Sequence, residues 1–333
     1  MKNCPNFLRT FFLLDVSATN AALLLAGALS PLFAPALNSC DWFMCWIGDL
    51  FTHWQWLYLA AGLWLLARGD GLTRILSMLT AALAAYHIFV AWTPLTEPDT
   101  TKPVFRVIQA NVNVANPSPS KFLAWVRDEH PDVIVIEEVS PIWEPQLKAV
   151  TGYPYFHVLP STDSFGMAIL SRHPLRVLSP QAPAGRDAAF KTGDIDAVVD
   201  WNGQPVRILA THPMPPIRNS LGALRDKYLA QSAQSLTTCK GPALLVGDFN
   251  ATPWSAAAHG IRRAGMELSS AAIPTWPNMF GVLALIPIDH VALSPQWAVV
   301  SRERGPDIGS DHFPIRVDLS LKNGTRSREA TSG

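Results

Sequence analysis

Gly309-Ser310-Asp311-His312-Phe313-Pro314-Ile315, near the end of a 333-residue chain, sets an acid beside an imidazole at the edge of an apolar run. Two earlier segments share the design: Gly247-Asp248-Phe249-Asn250 and Ile288-Asp289-His290-Val291. Short apolar runs of this kind read as buried strands, and residues at strand ends project into a shared mouth. Carboxylates there hold a hard cation, amides hold a phosphate oxygen, and imidazole moves protons or steadies charge. The three segments together point to one site for hydrolysing a phosphate ester.

Working outward, three more strand ends are polar. Val107-Ile108-Gln109-Ala110-Asn111-Val112-Asn113 closes on two amides. Val133-Ile134-Val135-Ile136-Glu137-Glu138-Val139 closes on two carboxylates, and Ala210-Thr211-His212-Pro213 on a histidine. Adjacent strand residues point to opposite faces, so only one of Glu137 and Glu138 is expected to face a given site. One strand-end Asn or His is more often a turn or surface group, but several in one domain shift that balance. Asn202-Gly203 between two apolar runs reads as a hairpin turn. Helices are expected at 121–130, 142–150, 221–236 and 255–264, the first capped by Ser118 or Ser120. Strands and helices mix without strict alternation, which predicts an α/β domain of two packed, mostly antiparallel or mixed sheets with helices outside.

The ordered set Asn111, Glu138, His212, Asp248-x-Asn250, Asp289-His290 and Ser310-Asp311-His312 resembles the endonuclease/exonuclease/phosphatase superfamily. The resemblance runs from about Val104 to Leu319 and implies a four-layered α/β sandwich with its active site at one rim of the sheets. It implies Glu138 as principal Mg2+ ligand, with Mn2+ as a substitute, Asn111 in support, and Asp311 completing the metal site or its surroundings. Asp248 would orient or deprotonate the attacking water, and Asn250 would bind the phosphate. His312, positioned by Asp289, would hydrogen-bond the scissile phosphate or act as base, and His212 would protonate or stabilise the leaving group. One departure stands out: many relatives carry Gln where this chain has Glu137.

The front third has another character. Apolar runs at about 12–37, 52–67 and 75–92 predict three transmembrane helices within 1–93, followed by a Pro-rich linker at 94–103, the catalytic domain at 104–321 and a polar tail at 322–333. The first run also fits a signal peptide, with Ala34-Pro35-Ala36 as a cleavage site. Lys2 and Arg9 precede the first run, Arg68 and Arg74 flank the turn before the last, and the loop 38–51 has neither Lys nor Arg. The positive-inside rule and an odd number of spans place the catalytic domain outside the cytoplasm, facing the periplasm if the source is a bacterium. Cys40 and Cys45 in that loop are spaced for a disulfide.

Hydrophobic residues make up 49% of the chain and charged residues 16%, too apolar for an ordinary soluble enzyme. Of 26 basic and 26 acidic residues, four of each precede Pro94, so the remainder is neutral overall. A protein that grips long nucleic acid carries a basic excess. The expected partners are therefore a bilayer and a phosphoester, such as a lipid head group or a small molecule. Two alternatives remain: a periplasm-facing nuclease, and an inactive membrane-anchored binding protein. No protein partner is expected.

Overall fold

The computed structural model describes residues 16–37, 43–92, 95, 103–179, 194–269, 272–279 and 283–322. Most of the expected linker lies outside these residues. So do Lys2, Arg9 and Cys40, the loop carrying Arg186 and Lys191, and the tail from 323.

The region from Phe105 onward begins with β1 (Phe105–Asn111), α6 (Ser120–Glu129), β2 (Val133–Glu137), α7 (Glu144–Lys148), β3 (Tyr155–Leu159), β4 (Met167–Ser171) and β5 (Leu175–Ser179). It continues with β6 (Ile195–Trp201), β7 (Gln204–Ala210), α8 (Asn219–Thr237), β8 (Ala243–Asp248), α9 (Ala256–Arg263), β9 (Glu267–Leu268), β10 (Asp289–Leu293), β11 (Trp297–Arg304) and β12 (Ile315–Leu321). Two six-stranded sheets form, ordered β11-β12-β1-β2-β4-β3 and β5-β6-β7-β8-β10-β9. Each has one parallel pair near its centre, β1 with β2 and β7 with β8, among antiparallel neighbours.

Alternation explains the layers. Phe105 and Val107 of β1 and Val133 and Val135 of β2 face Ile208, Val246 and Val291 of the other sheet. Ile108, Ile134 and Ile136 point the opposite way, onto Phe122, Val126 and Trp143 from α6 and the segment before α7. The second sheet is covered by Tyr228, Leu229 and Ile261 of α8 and α9. The result is helix, sheet, sheet, helix, the four-layered α/β sandwich expected. Fully burying one such aliphatic side chain stabilises by roughly 1.5–3 kcal/mol. Asn202 and Gly203 both have positive φ, 55° and 82°, as a tight hairpin turn requires. The expected cap of α6 is corrected: Pro119 holds that position with no side-chain bond, while the Ser118 and Ser120 hydroxyls bond each other at 3.0 Å. Edge strand β3 escaped the sequence reading because its residues are half-buried or exposed and offer little contrast between faces.

The front region holds α1 (Ala18–Leu29), a 3-10 turn (Ser30–Phe33), α2 (Ala34–Leu37), α3 (Phe43–Thr52), α4 (Gln55–Arg68) and α5 (Gly71–Val90). Two stretches among the described residues, Ala18–Leu37 and Gly71–Val90, are long and apolar enough to cross a membrane, where three were expected. The middle run forms α4, whose 14 residues rise only about 21 Å against a hydrocarbon core of about 30 Å. Its mate is α5, packed antiparallel: Gly62 lies so close that a Cβ would sit 3.0 Å from the Ala81 nitrogen, and Trp56 and Leu59 meet Ile88 and Ala91. The expected loop 38–51 is also corrected, since most of it is α3, which docks on the sandwich through Trp46 and Asp49. Cys45 is disulfide-bonded.

Candidate active site

β1 and β2 run parallel in register Asn111 with Glu137, so their polar ends arrive at the same rim. On the other sheet Asp289 of β10 lies directly opposite Asp248 of β8. Two facing carboxylates need a cation between them, and His312 supplies it. Its Nδ1 bonds Asp289 Oδ2 at 3.0 Å, and its Nε2 lies 3.7 Å from Asp248 Oδ2. His212 approaches the same Asp248 oxygen at 3.4 Å, and its Nδ1 is held by the Ser164 carbonyl at 3.1 Å. Asn111 Nδ2 bridges to Glu138 Oε1 at 3.1 Å and to Asp248 Oδ2 at 3.2 Å. Asn250 donates its backbone N–H to Asp248 Oδ1 at 2.9 Å and one amide proton to the Pro213 carbonyl at 3.0 Å.

Seven of the eight expected residues thus join one connected cluster. Asp311 stands at its edge, more exposed, taking bonds from Asn113 Nδ2 at 2.6 Å and Trp276 Nε1 at 3.1 Å. The Ser of Gly-Ser-Asp-His has a structural job. Its hydroxyl donates to the Asn111 carbonyl at 2.8 Å and accepts the His312 N–H at 3.1 Å. Gly247 is required because its φ is 154° and a Cβ would strike the Thr211 carbonyl oxygen.

The electrostatics follow from burial and pairing. Burial alone would discharge His312, but Asp289 and Asp248 outweigh it and raise its pKa to about 10. Burial likewise opposes the Asp248 charge, and His312 and His212 overcome it, bringing the carboxyl down to about 2. His212 is pushed down by burial and more strongly up by Asp248. His290 is different: burial and Arg302 bring it to about 3, and its Nε2 bonds the Ala251 carbonyl at 2.8 Å. It is a neutral structural group that holds the loop after Asp248.

The expectation that only one of Glu137 and Glu138 faces the site is corrected. Glu137 follows Val133 and Val135 on the inner face, and β2 ends there. Glu138 has φ 60°, which breaks the alternation and turns its carboxylate to the same rim. Glu137 is wholly buried, and burial followed by the Asp289 charge raises its pKa well above the usual range. That shift favours the protonated form of Glu137. Gln109 connects the layers: its Nε2 donates to Glu137 Oε2 and to Asp289 Oδ1, both at 2.8 Å. The sequence reading passed over Gln109 and gave no role to Asn113, one of the two amides that close β1. Gln109 left a signal, a polar residue two before Asn111 and so on the same strand face.

Two groupings could hold a metal ion. Asp248, Asp289 and His312 have ligand atoms within 4.8 Å of one another. Their charges are already paired, however, and a protonated imidazole is not a ligand. Glu138 offers carboxylate oxygens with no Lys or Arg paired to it among the described residues; it accepts the Asn111 Nδ2 and, at 3.0 Å, the Val114 N–H, while the Asn111 Oδ1 accepts the Asn113 N–H at 3.0 Å. A half-buried carboxylate in that setting fits a hard divalent cation.

The model of the endonuclease/exonuclease/phosphatase family matches residues 108–312. The chain belongs to that family. Its members hydrolyse phosphoester bonds, and the matched span carries all the site residues above. Solved structures share the family fold. Humanised TDP2 of D. rerio, with 14 mutations, is 18% identical at a TM-score of 0.52, covering 66% of this chain and 99% of that one. A family protein of Beutenbergia cavernae is 21% identical at 0.52, covering 66% and 72%. The 3'-5' exonuclease NExo of Neisseria meningitidis is 18% identical at 0.52, covering 65% and 100%. No curated protein matches.

Proposed function

We propose that the protein is a membrane-tethered, divalent-metal-dependent phosphoesterase. It hydrolyses a phosphomonoester or phosphodiester, on a lipid head group or small molecule, at the outer side of the membrane. The observation that carries the chemistry is the convergence of His212 and His312 on one oxygen of Asp248, beside the Glu138–Asn111 pair. Asp248, an anion held between imidazoles, orients the attacking water. His312, charged at neutral pH, donates to the phosphate rather than acting as base. His212 faces the leaving group, and the free amide proton of Asn250 binds a phosphate oxygen. Glu138 would hold the metal, with Asn111 in support and Asp311 completing the site. Mg2+ or Mn2+ bound there neutralises phosphate charge.

The tether rests on what the front helices expose. Leu23, Phe33, Leu72, Ile75, Phe89 and Val90 are more than half exposed, a surface that water does not favour. A bilayer covers it along Ala18–Leu37 and α5, the two stretches long enough to cross, with the shorter α4 packed against α5. Arg68 and Arg74 sit at the turn between these helices, while Ile88 and Ala91 at the other end pack on Trp254 and Ala272 of the catalytic half. The basic end therefore lies opposite the catalytic domain, as the positive-inside rule asks of an outer enzyme. A disulfide at Cys45 fits an oxidising outer compartment.

One observation favours a second reading as a nuclease: TDP2 of D. rerio complexed with single-strand DNA product shares the fold, at 18% identity and a TM-score of 0.52. The test is full-length protein in detergent, offered phospholipid, nucleotide and single-stranded DNA with Mg2+, Mn2+ or EDTA. The expected result is metal-dependent hydrolysis of the lipid or small ester, absent in Asp248→Ala. Preferential DNA cleavage would establish the second reading, and no turnover at all would leave the binding-protein alternative.

A further inference from the structure

We infer that α3 belongs to the catalytic apparatus: through the Asp49–Arg225 ion pair it sets the backbone of Asn250, so that the front region positions the site as well as tethering it. The inference rests on the phosphoesterase reading above for what Asn250 does.

Arg225 of α8 is wholly buried, and a buried guanidinium must have its donors satisfied. Nη2 meets Asp49 Oδ2 at 2.7 Å, and Nε meets Asp226 Oδ1 at 2.8 Å. Nη1 donates to the Asn250 carbonyl at 2.6 Å. The arginine is thus a rigid fork with one prong on the front region and another on a residue of the site. Asn250 needs such a hold, because its φ of 49° lies where side-chain-bearing residues seldom sit. Three bonds fix it: its N–H to Asp248, its carbonyl to Arg225 and its amide to Pro213.

Three side chains on one face of α3 and its extension engage the two loops that flank Asn250. Trp46 Nε1 donates to the Pro216 carbonyl at 2.8 Å, three residues past the Pro213 that holds the Asn250 amide. Asp49 Oδ1 accepts the Ala256 N–H at 2.8 Å, at the start of α9. His53 Nδ1 lies 2.9 Å from Thr252 Oγ1. Positions 46, 49 and 53 share a helix face by their spacing of three and four. Loops 213–217 and 250–256 lead directly from His212 and Asp248, so α3 braces both at once. Removing the Asp49 charge leaves Arg225 to Asp226 alone and frees the fork that fixes the Asn250 carbonyl.

A merely structural pair would change stability and leave turnover per folded molecule intact. The test uses the full-length protein in detergent with saturating Mg2+ and bis(4-nitrophenyl) phosphate as probe. It compares Asp49→Asn, Trp46→Phe, Asn250→Ala and the Asp49→Asn/Asn250→Ala double variant. Melting temperature and amide hydrogen exchange are read alongside kcat and KM. Asp49→Asn is expected to lower kcat by about 10–100-fold per folded molecule, the scale of a displaced catalytic group. The double variant should stay within about threefold of Asn250→Ala, because the two residues act as a unit. Exchange should quicken over 250–255 and not in β8. Trp46→Phe keeps a six-membered aromatic ring but removes the indole N–H that holds the Pro216 carbonyl, so kcat per folded molecule should fall by about threefold or more with only a small drop in melting temperature.

Asp49→Asn that melts earlier but turns over within twofold of the parent would overturn the inference, as would multiplicative losses in the double variant. If Asp49→Asn does not fold, Trp46→Phe decides: a fall in kcat supports the link, and unchanged kcat with unchanged exchange overturns it. If the parent itself is inactive, the phosphoesterase reading fails, and exchange over 250–255 alone still decides whether α3 holds the loop.

Discussion

The front helices and the catalytic sandwich solve opposite problems with one chain. The sandwich buries Val107, Val135, Ile208 and Val246 between its sheets and keeps charge at its rims. The helices reverse this: Leu72, Ile75 and Phe89 of α5 point outward while Thr73, Ser77 and Thr80 are buried. Ser77 and Thr80 spend their hydroxyls on carbonyls one turn back, at 2.7 and 2.9 Å, so the buried face needs no water. Small polar residues let helices approach closely, as Gly62 does against Ala81. The contrast is the one that follows if, as proposed, the two regions fold against two solvents.

The largest effect expected lies in the sandwich. Asp248→Ala should lower turnover about 1,000-fold, within the range for a group that handles the attacking water. Circular dichroism should be unchanged. Full activity in EDTA would remove the metal from the account altogether.

Next comes the sharpest challenge to the contrast itself. Leu79→Arg places a charge on the outward face of α5 near its middle, where Leu79 is 47% exposed. In lipid this costs about 2.5–3.5 kcal/mol, whereas a surface substitution in water changes stability by about 0.5 kcal/mol or less. Retention in alkali-washed membranes should drop for Leu79→Arg and hold for Lys121→Ala, on the exposed face of α6. Equal behaviour of the two would mean that water, not lipid, covers the helices.

His312→Ala should cost about 100-fold in turnover, roughly 2.7 kcal/mol. Asp289→Asn should also be harmful, and the double variant should be little worse than the worse single one. Multiplicative losses would separate the two residues.

The smallest effect is a shift along the pH axis. The His312 pKa is raised to about 10, so its charge, and the activity needing it, is present below its ordinary value near 6.5 and lost only as pH rises through about 10. A kcat/KM profile should show no loss at pH 6–8 from this group. In Asp289→Asn the alkaline fall should move to lower pH.

Most of the sandwich was legible from residue order, because alternation of apolar residues is a local property of a strand. The ends of β1, β2, β8 and β10 could be read from where the apolar runs met Asn, Glu and Asp. Helix length in the front region was less legible. Apolar composition does not say where a helix stops, and α4 ended at 14 residues. The segment 38–51 read only as a loop between two spans, yet Trp46 and Asp49 in it are docking groups.

By itself the sequence determined the family and named the polar residues that gather at one rim, since carboxylate, amide and imidazole groups are carried by residue type and order. Only the tertiary structure decided their states and supports. Glu138 reached the rim because one φ of 60° broke the alternation, a backbone choice made by the packing around it. The Glu137 pKa is pushed up, and that of His312 raised to about 10, because of the burial and charges that distant strands brought together. Asp49 meets Arg225 across 176 residues. No local pattern encodes such a meeting, because the attraction between two charges depends on their separation in space and on the dielectric between them, and folding sets both.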